Sequence, residues 1–485
     1  NASQKLKDFF NKKVVLEDIF DIEKWAAYFA IVDMTSTYHG AFLKSVKLYY
    51  NPINGLFEPI PYDGHRLKPN YHKYNLNYDD RILIDIIDNP INRDEISGLS
   101  WLKKMFYKKN GELNILFYNS YIKNLKKPKK ILIIIQRSNG DVFLSSNLIS
   151  VLYKYFESPE IDLLVNNDTY SIANLLPHIH FIHQFSYKKK IDNRWQQEKE
   201  LIKNIFKKYD LSINLTSSDR SVIYALLASN KSISAIEKNN KKSWWKRLFL
   251  SYYYYFDSSK HILINNSEPL NCLKIKHKNI QKPPIISDEV ISNVKRKLRD
   301  EGINEFIIFH PSAQYNYKIY PQLFRNELLE SLESLGLPIL ITGSNNKIDL
   351  KIKKEIPKAP NVYNFIGKTS LEEYFVLSQL SSAYIGMDTL NMHIAASQNK
   401  PIFAIFGPTK LSMWSPWSNI LQKAAKNNKP IQSYDNITIF QSSLPCEVCG
   451  IVGCGNNHGK NEFNYVVKPE EIFNEVEKWY IKNKK

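Results

Sequence analysis

From about residue 129 the chain alternates short continuous apolar runs with stretches whose apolar residues recur at helical spacing. Ile131 to Gln136 (ILIIIQ) is apolar and β-branched throughout, the pattern of a strand buried on both faces of a parallel sheet. RSNGD follows, then VFLSSNLISVLYKYF with apolar residues at helical spacing, then a second strand pattern from Ile161 to Val165. Together these make a βαβ unit. DLSINLTSS near 210–218 and helix-like SVIYALLAS continue the series. A second series starts near 305. Strands are expected at Phe306 to His310, Pro338 to Thr342, Val362 to Phe365, Ala383 to Gly386 and Ile402 to Phe406. Helices are expected at Pro321 to Leu335, 345–356, 371–380 and 390–398. Two successive β/α series predict two doubly wound, Rossmann-like lobes with a cleft between them.

The basic, proline-ended segment Leu273 to Pro284 is the expected linker. The expected organisation is an accessory region over 1–128, a first lobe over 129–284, a second over 285–467 and a terminal helix over 468–485. The accessory region departs from the β/α rhythm; within it Leu16 to Asp33 reads as a helix carrying Ile19, Phe20, Ile22, Trp25 and Phe29.

Ligands of open α/β sheets bind at the carboxyl ends of the strands, so the loops after the strands are where chemistry is expected. After the first strand comes Ser138-Asn139-Gly140-Asp141. Asp141 would project into the cleft as a carboxylate able to take a proton from an attacking hydroxyl; alternatively it caps the helix. After FIIFH runs Pro311-Ser312-Ala313-Gln314-Tyr315-Asn316-Tyr317-Lys318, whose lysine could neutralise a departing diphosphate. After Ala383 to Gly386 comes Met387-Asp388-Thr389-Leu390-Asn391-Met392-His393, where a helix N-terminus offers free amides to phosphate. Gly407-Pro408-Thr409 forms a turn at the same edge, and His393 reads either as a core histidine or as part of the site.

DTLNMHIAAS…KPIFAIFGPT, preceded by GKTSLEEYFVLSQLSSAYIG, resembles the C-terminal signature of the lipopolysaccharide core heptosyltransferases, glycosyltransferase family 9. ILIIIQRSNGDVFLSSNLISVL is similar to that family's opening strand and Gly-Asp turn, and FHPSAQYNYKIYP to its mid-chain phosphate loop. The resemblance spans roughly 129–470. It implies a GT-B fold, a nucleotide-sugar donor (ADP-heptose in the family), a lipopolysaccharide or lipooligosaccharide core acceptor, and inversion at the anomeric carbon with no cofactor required. It places Asp141 as general base, Lys318 on the donor phosphates, and Ser312, Asp388, Thr389, Leu390, Asn391, His393, Gly407 and Thr409 around the donor. Leu390 stands where the family usually has Gly. Ser344-Asn345-Asn346-Lys347 stands where an acidic residue commonly meets the donor ribose, and Met387 where a small or polar residue is frequent. Two other readings fit the same sequence: a protein O-glycosyltransferase of this fold, or a non-catalytic sugar-nucleotide-binding assembly protein.

Composition adds the partners. With 66 Lys+Arg against 48 Asp+Glu, the 485 residues carry +18, which favours an anionic partner. No nucleic-acid recognition motif is present. No apolar run approaches the roughly 20 residues of a membrane span, and NASQKLKDFFNKK lacks the apolar core of a signal peptide. The expectation is a cytoplasmic protein, peripheral on the inner face of the membrane. Lys241 to Phe256 (KKSWWKRLFLSYYYYF), read as a helix, would carry aromatic and basic residues, Lys242, Lys246 and Arg247 among them, suited to an anionic lipid surface; alternatively it is a helix of the first lobe with its apolar side in the core. Of four cysteines, Cys446, Cys449 and Cys454, with His458, could hold a structural zinc tetrahedrally; free thiols or a single disulfide are the alternative.

Overall fold

The computed structural model describes residues 5, 8, 14, 18–21, 47–51 and 56–60, and then 127–484 except 187–193, 239, 316–317, 408 and 442–466. The chain separates into two compact units, Asn1–Asn124 and Leu125–Lys485. In the first, strands β1 (Lys47–Tyr50) and β2 (Phe57–Ile60) pair antiparallel, and Phe20 bridges to Phe57. Residues 18–21 are therefore turn and bridge, not the expected helix; the rest of the 16–33 segment lies outside the described residues.

The second unit opens with a six-stranded parallel sheet of β3 (Lys130–Ile135), β4 (Glu160–Asn166), β5 (Ile179–Phe185), β6 (Leu211–Asn214), β7 (Ser232–Ile236) and β8 (Tyr252–Tyr255). Its spatial order is β5-β4-β3-β6-β7-β8, and every pairing is parallel. Counted within the lobe, this is the 3-2-1-4-5-6 order of a dinucleotide-binding sheet. Ile131 to Ile135 are wholly buried, as an apolar run without alternation demands of a central strand covered on both faces.

A seven-stranded sheet follows, built from β9 (Ile307–His310), β10 (Ile339–Ile341), β11 (Val362–Asn364), β12 (Ala383–Met387), β13 (Ile402–Phe406), β14 (Ile431–Tyr434) and β15 (Ile437–Gln441). Its order is β11-β10-β9-β12-β13-β15-β14, and only β14 runs antiparallel to its neighbour. The terminal helix Pro469–Asn483 packs on this lobe, with Ile472 and Val476 in the core beside Tyr320 and Leu328. Two Rossmann-like sheets in sequence are the GT-B architecture expected from the sequence.

Chain reversal creates a crevice in each lobe where neighbouring strands send their connections to opposite faces. In the first lobe this point lies between β3 and β6, so the Ser138–Asp141 loop opens there. In the second it lies between β9 and β12, so the 311–318 and 388–390 loops meet. The lobes touch near these points. The Phe143 and Phe375 rings lie 5.6 Å apart, and Leu144, Ile262 and Leu263 share an apolar cluster with Met413 and Trp417.

Two segments depart from expectation. The helix after β3 is two helices, Asn139–Phe143 and Ser146–Tyr155. Residues 241–256 are not one amphipathic helix but a turn (Lys241–Ser243), a helix (Trp244–Phe249) and strand β8. Four consecutive tyrosines favour a strand, and Tyr252 and Tyr254 are buried while β8 pairs along β7. Lys246, expected at a lipid surface, is fully buried, its Nζ 2.8 Å from Asp219 Oδ1, 3.1 Å from Glu237 Oε2 and donating to the Ser217 carbonyl at 2.6 Å. This segment is lobe structure rather than a membrane-facing helix.

Candidate active site

Asp141 is the third residue of the helix that follows β3, and it is almost wholly buried. Ser138, the N-cap, donates from Oγ to Asp141 Oδ2 at 2.6 Å and from its amide at 3.3 Å. This reciprocal cap fixes the carboxyl on the first turn. Its other oxygen, Oδ1, accepts no hydrogen bond from the described residues but stands 2.9 Å from Arg137 Nε. Asp141 thus closes the capping box of a helix whose N-cap is Ser138, in the segment that follows the carboxyl end of β3.

On the second lobe Lys318 Nζ lies 3.0 Å from Asp388 Oδ2, joining the loop after β9 to the loop after β12. Thr389 is the N-cap of helix Leu390–Ser397, with extended backbone (φ −132°, ψ 177°), and its side chain caps nothing. The first-turn amides of that helix therefore have no side-chain cap from Thr389, and its dipole places positive potential beside Lys318. Leu390 is the first helical residue, half-buried. Asn391 Nδ2 lies 3.0 Å from His310 Nδ1 and 3.3 Å from its Nε2. His310 Nδ1 is also 3.0 Å from the Thr342 carbonyl and 3.1 Å from the Thr342 hydroxyl, so the segments after β9, β10 and β12 meet at this ring. Gly386 pairs with His310 across β12 and β9, and a Cβ there would collide with the His310 carbonyl.

His393 is buried in this same helix at the lobe contact. A side chain at Gly140 would come within 3.9 Å of its ring, and its Nδ1 has no hydrogen-bond partner among the described residues. Burial, with His261 and Lys318 nearby, lowers its pKa to about 3. The imidazole is therefore neutral at neutral pH.

Ser312 is buried and spends its hydroxyl on Asp349, which also accepts from the Ser344 amide. Asp349 is an acidic group that the reading of the 344–347 segment passed over, and it bonds to Ser312 and Ser344. It sits one turn later, at the third position of helix Lys347–Glu355, and the Asn346-x-x-Asp349 cap pattern was the signal that could have revealed it. Arg137 was missed as well, since nothing in local spacing distinguishes it. Gly407 and Thr409 lie at the end of β13 with both carbonyls taken by Gln441 Nε2, at 3.2 and 3.0 Å.

Cys446, Cys449, Cys454 and His458 lie outside the described residues. Among the described residues no group of three or more His, Cys, Asp or Glu could hold a metal ion. A cavity of about 240 Å³ lined by Lys130, Asp162, His183 and Tyr209 opens near the amino ends of β3, β4 and β6, at the opposite end of the sheet from Asp141.

Comparison with known proteins bears on the family and the fold. The profile of glycosyltransferase family 9 (heptosyltransferase) matches residues 199–440, about half of the chain. Lipopolysaccharide heptosyltransferase 3 of Escherichia coli is 27% identical over 296 residues, covering 58% of this chain and 85% of that protein. The crystal structure of a family 9 glycosyl transferase from Veillonella parvula superposes with a TM-score of 0.57 at 17% identity, covering 73% of this chain and 97% of that one. E. coli ADP-heptose lipopolysaccharide heptosyltransferase II gives 0.54 at 17%, covering 73% and 100%. These solved structures share the fold.

Proposed function

From the premise that the chain belongs to glycosyltransferase family 9 and is a glycosyltransferase, we propose that it moves heptose from ADP-heptose to a lipopolysaccharide or lipooligosaccharide core acceptor. The observation that carries this reading is the pairing of Lys318 with Asp388 beside the uncapped start of helix Leu390–Ser397, next to the lobe bearing Asp141. In this reading the donor diphosphate takes Lys318 and the first-turn amides. Asp388, released from its lysine, is left to accept hydroxyls of the sugar. Neutral His393 supplies a hydrogen bond rather than a charge. An acceptor hydroxyl enters from the first lobe, gives its proton to Asp141 and attacks the anomeric carbon as the diphosphate leaves. One displacement inverts the configuration. The developing charge on the leaving group meets a preformed cation and aligned dipoles, which need no reorganisation during the reaction.

A glycolipid acceptor would bring the protein to the inner face of the cytoplasmic membrane. Net charge of +18 supports this, whereas residues 241–256 do not. No helix among the described residues is long and apolar enough to cross a membrane.

Calorimetry with ADP and ADP-heptose tests the donor site. Lys318→Ala should weaken both by about tenfold or more, because a charge-assisted hydrogen bond to diphosphate is lost. Affinity unchanged in a folded variant would place the diphosphate elsewhere.

A further inference from the structure

We infer that Arg137 is a positioning residue for the transfer: it holds the Asp141 carboxylate by the oxygen that Ser138 leaves free. The inference rests on the reading of Asp141 as the base. The two oxygens of that carboxylate have different surroundings. Oδ2 is occupied by the Ser138 hydroxyl and amide, so it cannot readily receive a further proton. Oδ1 is buried and free of hydrogen bonds among the described residues, and Arg137 Nε lies 2.9 Å from it. An incoming hydroxyl therefore has one oxygen to meet, and a guanidinium stands beside that oxygen.

Arg137 is itself held on two further sides. Its guanidinium carbon lies 4.8 Å from the Phe256 ring centre, and its carbonyl accepts from Asn166 Nδ2 at 3.2 Å. Phe256 packs on the cluster shared by Leu144 and Leu263 of the first lobe and Trp417 of the second. The arginine is thus clamped between the base and the seam of the two lobes. A flat guanidinium suits this place, since it stacks on a ring with its face while its edge meets a carboxylate.

Among the described residues, the groups packed around Asp141 from other elements do not take its place. His393, from the facing helix, is neutral, as is His261, whose pKa burial lowers to about 4. Asn266, from helix Ile262–Cys272, is uncharged and donates to the Asp141 carbonyl at 3.3 Å. Lys318 is paired with Asp388.

A carboxylate held on one oxygen by a guanidinium and on the other by a helix cap keeps one orientation, and losing one holder loosens it. The test is kcat and donor KM for transfer, measured on the full chain with Arg137→Gln, Arg137→Lys and Asp141→Asn. In Arg137→Gln kcat per folded enzyme should fall by about tenfold or more, with donor KM unchanged because Arg137 lies in the other lobe. Arg137→Lys, which keeps the charge but not the planar fork, should recover less than half of that loss. A purely structural role would lower the amount of folded enzyme and leave kcat per folded enzyme in place. An unchanged kcat in folded Arg137→Gln overturns the inference. Should that variant not fold, an unchanged kcat in Arg137→Lys overturns it. Loss of turnover in Asp141→Asn alongside an unchanged kcat in Arg137→Gln refutes the role of Arg137 alone; turnover retained by Asp141→Asn refutes the base itself.

Discussion

Three buried histidines, His261, His310 and His393, line the seam and the donor loops, and burial lowers their pKa values to about 4, 4 and 3. Each is neutral in the folded protein. His261 accepts the Leu263 amide on Nδ1 and donates from Nε2 to the Ser415 carbonyl at 2.8 Å, so one tautomer spans the two lobes. Protonating His310 would set a second N–H against the Asn391 amide. The unfolded chain binds these protons near pH 6.5 and the folded chain only near 3 to 4, so the unfolded state holds more protons in that window. Stability is therefore full above about pH 6.5 and falls as pH drops, by up to about 1.4 kcal/mol per pH unit for each histidine. Denaturant unfolding at pH 7, 6 and 5 should show that decline, and His261→Gln should flatten it. A stability constant from pH 7 to 5 would contradict this account. At this scale the sequence was partly legible. Asp141, Lys318 and Asp388 stand out because each lies within a few residues of a strand's carboxyl end, where such sheets bind ligands. Arg137 and Asp349 do not, because their importance comes from a neighbour's free oxygen and from a loop one turn away.

At the scale of elements, the strands after residue 129 were readable because a buried parallel strand must be apolar throughout, a demand few other structures make. Residues 241–256 misled for the converse reason. Aromatic residues in an unbroken row satisfy a helical stripe and a strand equally, and only pairing with β7 decides between them. Lys246 is the residue most changed by that outcome, from lipid contact to a buried tie among the segments around Ser217, Asp219 and Glu237. Lys246→Met should lower stability by about 2 kcal/mol, the worth of hydrogen bonds to a charged group. Asp219 and Glu237 are solvent-exposed enough to be rehydrated, so no orphaned charge adds to that cost. Chemical denaturation of the purified variant measures it, and a variant as stable as the parent would contradict the tie.

On the scale of the whole molecule, the two β/α series announced two lobes, but the contacts joining them carried no periodic signal. Phe143 meets Phe375 and His261 meets Ser415 across more than a hundred residues of sequence, and folding alone brings such pairs together. Those contacts bring the helix bearing Asp141 against the helix that begins at Leu390, and the proposed mechanism needs both. The most direct measurement gives the full-length protein ADP-heptose and a heptose-deficient core lipopolysaccharide, then follows ADP release and the mass of the acceptor. The account predicts that the acceptor gains one heptose per ADP released. It also predicts that Asp141→Asn lowers the rate by about 10²- to 10⁴-fold while calorimetry shows ADP-heptose still bound. Transfer at the parent rate by a folded Asp141→Asn protein, or no sugar gained while the donor binds, would contradict it.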